Sequence, residues 1–313
     1  MYTSISYPDA RPFECDTRSL LKKAILDAKS MGYSFSFGAE MEFYLFRLDD
    51  SGEPTKLPYD NAGYMDIAPD DRGENIRREI CLTLEQMGIQ PESSHHEEGP
   101  GQNEIDFRYS DALTAADNAM TFQTIVKTVA RSNGLIADFT AKPLEDKPGN
   151  GFHINVSVRS EGSDDYLKYV IAGILDKISD ITAFLNPTEN SYARLGRSKA
   201  PAYVSWSSEN RSQLIRIPAA FGEYRRAELR SPDPTANPYL AFALIIYAGL
   251  HGIKNRLELP TSENLNLYRT TLEQLSKYKR LPQNLGAACV LASQSGFVRE
   301  HIPPSILDIY LGR

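Results

Sequence analysis

Residues 33–47 read YSFSFGAEMEFYLFR, and this stretch decides the fold. It is rich in aromatics and alternates in character, which predicts a strand. Successive side chains of a strand point to opposite faces. Glu40 and Glu42 therefore share one face, roughly 6–7 Å apart, and Met41 and Phe43 take the other. Two carboxylates side by side on an otherwise apolar strand repel each other and need a cation or several basic partners. The plainer alternative is a sheet face open to water. The flanking FSFG and FYLF read as buried and weigh against it.

Working outward, residues 17–31 (TRSLLKKAILDAKSM) place Leu20, Leu21, Ala24, Ile25 and Ala28 at helical spacing, with Gly32 as a stop. Residues 49–66 are rich in Asp, Gly and Pro and read as loop. Residues 71–88 predict a second helix, 102–109 a strand, 112–133 a helix and 151–159 a strand. A helix follows at 165–185, then irregular chain at 186–234. An apolar helix runs over 236–253, and a polar, mixed tail covers 260–313. Strands separated by helices predict one α+β catalytic-type domain over residues 1–313. No G-x-G-x-x-G and no P-loop occurs, so a Rossmann or Walker nucleotide site is not supported.

Hydrophobic residues make up 41% and charged residues 24%, which excludes a mostly disordered chain. Lys and Arg number 34 against 41 Asp and Glu, a formal net charge of -7. Such a chain is a poor general binder of nucleic acid or anionic membrane. The longest apolar run, Tyr239 to Leu250, falls short of the roughly 20 residues that span a bilayer. The N-terminus carries no apolar signal core. Cys15, Cys81 and Cys289 show no C-x-x-C spacing, so a reducing, cytoplasmic setting is expected and a disulfide scaffold is not.

Three further signals join the E-x-E pair. In HHEEGPGQNEID (95–106), Glu97 and Glu104 flank a Gly-Pro-Gly turn that brings them together, and His95 and His96 add candidate ligands. Glu228 sits in RRAELR (225–230), and His153 follows a Gly-Asn-Gly loop in GNGFHINVSV. A site rich in Glu with one His suits a hard cation such as Mg²⁺ or Mn²⁺ rather than a structural zinc. Taken alone, His153 reads equally well as a core histidine. Arg194, Arg211, Arg216, Arg225, Arg226 and Arg230 crowd one irregular segment. Arginine forks bind carboxylate and phosphate, and arginines beside a carboxylate-held cation are what phosphoryl transfer needs. The alternative is a set of surface arginines neutralising excess acid.

The chain resembles the catalytic domain of the glutamine synthetase family from about residue 12 to the tail. The resemblance rests on GAEMEFYLF (38–46), HHEEGPGQNEID (95–106), KPGNGFHINVSV (147–158), NSYARL (190–195), NRSQLIRIP (210–218) and RRAELRSPDPTANPYL (225–240), in family order. It implies a curved antiparallel sheet wrapped by helices, with the ligands on its inner face. Two divalent cations, Mg²⁺ or Mn²⁺, are implied: one held by Glu42, Glu97 and Glu104, the other by Glu40, His153 and Glu228. Arg194, Arg216 and Arg230 match arginines that hold the substrate carboxylate or γ-glutamyl phosphate. Arg211 matches the arginine that stabilises phosphoryl transfer. Gly149 falls in the loop contacting glutamate. Glu92, Ser157 and Arg226 match the ATP site, and Tyr109 an aromatic near the nucleotide. The implied activity is an ATP-dependent carboxylate–amine ligase acting on glutamate, or an analogue, with ammonia or another amine. A homo-oligomer is implied too.

The resemblance has departures. Family members carry a small β-grasp domain ahead of this one, which completes a neighbour's site and supplies an Asp for ammonium. No segment here is expected to do so. Lys199, in GRSKAP, stands where a loop Glu is expected. Asn155 replaces an ATP-side His, and the sequence stops at IYLGR, short of the usual C-terminal helix. These departures imply an oligomer smaller than the family's rings. They keep open a non-catalytic or regulatory paralogue, or a half-enzyme needing a partner chain.

Overall fold

The strand anticipated at 33–47 runs over Tyr33–Leu48 and is the spine of the sheet in the computed structural model, which describes residues 2–160, 165–220, 222 and 225–312. Nine strands occur among the described residues: β1 (Tyr33–Leu48), β2 (Pro54–Pro58), β3 (Pro91–His96), β4 (Gln102–Asp111), β5 (Leu135–Asp138), β6 (Phe152–Ser160), β7 (Trp206–Ser207), β8 (Ile215–Arg216) and β9 (Ala227–Leu229). The sheet order is β3-β4-β1-β6-β9-β8-β7, with β2 and β5 also on β1. Every pairing is antiparallel except β7 with β8. That short pair makes an otherwise antiparallel sheet mixed.

The helices are α1 (Thr17–Ser30), α2 (Glu74–Gln86), α3 (Ala112–Ser132), α4 (Leu167–Leu185), α5 (Glu189–Arg194), α6 (Pro238–Lys254), α7 (Leu272–Leu275), α8 (Leu285–Gln294), α9 (Gly296–His301) and α10 (Pro304–Leu311). Local chemistry sets their starts. Asp16 caps α1 by accepting from the Arg18 amide, and Asp111 caps α3 through the Leu113 and Thr114 amides. Asn237 caps α6, whose first residue is Pro238.

α6 is buried on nearly every side and packs against α4 and α1. Phe37 of β1 stacks on Phe242 of α6 with ring centroids 4.3 Å apart. Met41, Phe43, Ile105 and Ile154 are fully buried in the same core. Burying each such side chain contributes about 1.5–3 kcal/mol. This apolar side anchors the strands and leaves the Glu40 and Glu42 side for polar chemistry.

The segments read as loop or irregular contain more order than periodicity reveals. β2 lies within 49–66, with a proline at each end, where composition hides it. β3 (PESSHH) is polar because it is the sheet edge. β7, β8 and β9 are too short to show a period, and their conformation comes from pairing. The tail contributes α7 to α10. No helix among the described residues is long and apolar enough to cross a membrane, and no disulfide joins Cys15, Cys81 and Cys289.

Candidate active site

Strand register lays the polar residues in rows across one face of the sheet. Glu40 lies opposite His153 on β6 and opposite Asp106 on β4. Glu42 lies opposite Glu104, which is opposite His95 on β3. Asn155 lies opposite Glu228, and Glu228 opposite Arg216. His153 is the hub: its Nδ1 is 3.4 Å from Glu40 Oε2 and 3.7 Å from Glu228 Oε1, and its Nε2 is 3.9 Å from Glu42 Oε1. Glu42 is fixed through Oε2, which accepts from the Gly151 amide at 2.8 Å and from Gln102 Nε2 at 3.2 Å.

Glu97 enters from the turn between β3 and β4, where its amide donates to the Gln102 carbonyl at 2.9 Å. His95 Nε2 is 3.2 Å from Glu97 Oε1 and 3.8 Å from Glu104 Oε1. Four groups here bring donor atoms within 4.8 Å of one another: Glu40–His153–Glu228, Glu42–Glu104–His153, His95–Glu97–Glu104 and Glu40–Glu104–Asp106. The first is the trio expected for one cation. For the other, Glu104 is the shared member, with Glu42 and Glu97 falling in different groups. His96 turns away from the cavity. It is buried 2.9 Å from Asp60 Oδ1, and its Nδ1 lies 2.6 Å from the Glu97 carbonyl, so it braces the turn from beneath.

The electrostatics of this face are uneven. Burial alone raises the Glu40 carboxyl, but His153, Asn155 and Arg230 outweigh it and hold it at about 2. Burial, then Asp106, Glu42 and the other neighbouring carboxylates, push Glu104 well above the usual range. Burial and Glu40 push Asp106 up to about 7. Asp106 Oδ2 accepts from Ser93 Oγ at 2.5 Å, and its buried Oδ1 has no partner. Carboxylates this close cannot all ionise unaided, and a hard divalent cation with oxygen ligands relieves them. The residues present therefore fit such ions. Asp106 was missed in the sequence, although Glu104-Ile105-Asp106 repeats the period of Glu40-Met41-Glu42.

The arginines divide by role. Arg216 Nε donates to Glu228 Oε2 at 2.5 Å, and Arg230 Nη1 donates to Glu228 Oε1. Arg230 Nε is buried without a partner. Arg194 is buried and largely engaged with backbone: it donates to the Ser231 carbonyl at 2.8 Å, Pro232 at 3.2 Å and Arg230 at 3.3 Å. Arg211 is exposed, beside Tyr64. Two glycines make room. A Cβ at Gly149 would stand 2.3 Å from the Ala141 carbonyl and 2.9 Å from Arg194 Cγ. One at Gly151 would stand 2.6 Å from His153 Nε2.

Together these side chains line a cavity of about 390 Å³ that contains Glu40, Glu42, Glu97, Glu104, His153, Glu228, Gly149, Arg194, Arg211, Arg216 and Arg230. A second cavity of about 220 Å³ adjoins it, sharing Glu40, Ser93 and Asp106. Glu92, Tyr109, Ser157 and Arg226 all line this smaller one. Asn155 lines the smaller cavity and ties its Arg226 to the shared Glu40: its Nδ2 donates to Glu40 Oε1 at 2.7 Å, and its Oδ1 accepts from Arg226 Nε at 2.9 Å. A wider groove of about 970 Å³ elsewhere, lined by Arg47, Lys56, Asp70 and Lys147 among others, has mixed charge and none of these groups.

Clustered carboxylates, a histidine and arginine forks on one sheet face support cation-dependent transfer of a phosphoryl or acyl group. Comparison with known proteins narrows that class. The family model for the glutamine synthetase catalytic domain matches residues 14–312. The glutamine synthetase of Clostridium saccharobutylicum is 46% identical over 319 residues, covering 97% of this chain and 72% of that protein. That of Methanosarcina mazei is 44% identical, covering 97% of this chain and 71% of that protein. A solved structure described as apo GmaS without ligand superimposes with a TM-score of 0.87 at 29% identity, over 99% of this chain and 74% of that one. A GmaS/ADP complex gives 0.85 at 30% identity, over 96% and 73%. The chain belongs to the glutamine synthetase family, and residues 14–312 are its catalytic domain.

Proposed function

We propose that the protein is an ATP-dependent ligase that joins the γ-carboxylate of glutamate to ammonia or another amine through γ-glutamyl phosphate. The carrying observation is the adjacency of the two cavities: the one lined by carboxylates and arginines shares Glu40, Ser93 and Asp106 with the one lined by Glu92, Tyr109, Ser157 and Arg226. Relatives named glutamine synthetase and a neighbour described as a GmaS/ADP complex support the same assignment.

In this reading ATP occupies the smaller cavity and glutamate the larger. Mg²⁺ or Mn²⁺ is assigned to two places, one at Glu40, His153 and Glu228, the other at Glu42 and Glu104 with Glu97. When bound, the ions supply charge neutralisation at the phosphates and the carboxylate. A γ-carboxylate oxygen attacks the γ-phosphorus, its bond to the bridging oxygen breaks, and ADP leaves. The amine nitrogen then attacks the acyl carbon. The carbon–oxygen bond to phosphate breaks, inorganic phosphate leaves, and the nitrogen gives up a proton. Arg216 and Arg230 offer forks to the carboxylate and the developing phosphate charge. Arg211 faces the same space from the mouth. Arg194 orders the 230–232 backbone beneath them and contributes positive charge to the wall.

The chain is further proposed to work as one catalytic unit, supported by a single core cluster that runs from Leu20 to Ile306. A cytoplasmic homo-oligomer is proposed as well, on the likeness to glutamine synthetases and on exposed apolar residues such as Met65, Ile67 and Leu272. The test is ADP release with Mg²⁺ or Mn²⁺ from ATP alone, with glutamate, and with glutamate plus ammonium or a panel of amines. Glutamate-dependent release that an amine raises is the expected result. No release under any condition, with cation binding demonstrated, removes the ligase reading.

A further inference from the structure

The part of the main cavity that the nucleotide cleft does not share holds a cation already, and it is the chain's own. Lys199 Nζ lies 2.7 Å from Glu98 Oε1 and 4.6 Å from the centroid of the Tyr64 ring. The same ring meets His95 edge-on with centroids 5.7 Å apart, which fixes its face. Glu97 lines the cavity alongside. An aromatic face flanked by carboxylates is the chemistry that recognises an ammonium head group.

The backbone that delivers Lys199 is itself unusual. Ser198 and Lys199 are consecutive non-glycine residues in the left-handed region, with φ of 41° and 67°. That conformation is costly for an L-residue and persists when neighbouring contacts hold it. Those contacts are modest, because the Lys199 and Glu98 side chains are each 38% exposed and such ion pairs are weak. A competing cation therefore has both a site to enter and a loop ready to yield.

We propose that Lys199 is a resident competitor in the acceptor subsite formed by Tyr64, Glu97 and Glu98, and that it sets acceptor preference. Small protonated amines enter only by displacing its ammonium. Uncharged amines need not bind where it sits. The catalytic consequence rests on the ligase reading given above, whereas the occupancy itself does not.

Two experiments separate these. In the first, lysines of the full chain are reductively methylated with ¹³C, which keeps their charge, and the Lys199 resonance is assigned by its loss in Lys199→Gln. Over the Tyr64 ring it is expected upfield of the other lysines. Ammonium or methylammonium chloride is expected to move it to the bulk position, and sodium chloride of equal ionic strength is not. A resonance at the bulk position from the start, or an equal response to sodium, overturns the proposal. In the second, Lys199→Gln is expected to lower the half-saturating ammonium concentration about 5- to 10-fold, as loss of one ion pair and one cation–π contact implies. Hydroxylamine, uncharged at neutral pH, is expected to change less than about twofold, because it does not compete for the same contacts. Equal changes for both acceptors, or a raised ammonium requirement, overturn the proposal. If the unmodified protein releases no ADP with any acceptor, the ligase reading fails, and the resonance experiment still decides the occupancy.

Discussion

Glu40 and His153 stand opposite each other on β1 and β6, with His153 Nδ1 3.4 Å from Glu40 Oε2. On its other side Glu40 faces Asp106. One carboxyl is held at about 2 and its neighbour is pushed up to about 7. The sheet thus sets, in adjacent register, one acid that ionises readily beside one that holds its proton towards neutral pH.

That contrast gives stability a pH dependence. Glu40 has a depressed pKa, so its contribution is present above the usual glutamate range and is lost as pH falls towards about 2. Asp106 and Glu104 are raised, so the folded chain keeps protons that the unfolded chain has released. Their effect is a loss of stability as pH rises from the usual carboxylate range to about 7. Without divalent cations, the urea midpoint is expected to fall between about pH 4 and about pH 7, and added Mg²⁺ or Mn²⁺ to reduce the fall. Identical flat profiles with and without cation would count against the cluster.

Asn155 links the two cavities through Glu40 and Arg226. Asn155→Ala removes the donor to Glu40 Oε1, and a charged acceptor deprived of its partner costs about 1–3 kcal/mol. The half-saturating ATP concentration is expected to rise about tenfold, with a parallel rise in the cation requirement. Glutamate saturation is expected to stay within about threefold. Steady-state ADP release checks all three.

Glu228 is fully buried between Arg216 and Arg230. Glu228→Ala strands two guanidiniums, one of them buried, and is expected to destabilise the fold by about 3–5 kcal/mol. Arg216→Met is expected to cost less, because Arg216 is partly exposed and solvent screens the loss. Urea unfolding of both variants ranks them, and the reverse order would contradict the clamp.

Gly149 lies against the Ala141 carbonyl and the Arg194 stem. Gly149→Ala forces one of them to move, an overpacking cost of about 1–3 kcal/mol. Because Arg194 orders the backbone at 230–232, activity is expected to fall more than stability. Thermal unfolding beside ADP release distinguishes the two losses.

β1, β4 and β6 were legible because each is long enough to show a two-residue period, with one face forced inward by the helices. Their candidate ligands came with them, since register places Glu40, Glu42, Glu104 and His153 side by side. β9 carries Glu228 in three residues and was invisible to periodicity; only motif order located it. Arg194 shows the limit of residue type as evidence. A fork suited to carboxylate is here mostly occupied by backbone carbonyls. Asp106 was legible in principle, because Glu104-Ile105-Asp106 carries the same two-residue period as Glu40-Met41-Glu42.

The breadth of pairing at β1 has a consequence for biogenesis. This aromatic 16-residue strand is made before its long-range partners β4 and β6, which lie far downstream. At about 5–20 residues per second, a ribosome needs on the order of 5–20 s to deliver His153 after Glu40. For roughly the first half of that interval β1 lacks both β4 and β6, and its β6 edge stays open until the end. The nascent chain is therefore most exposed to aggregation, and most in need of a chaperone, before the second half of its own sheet has been synthesised.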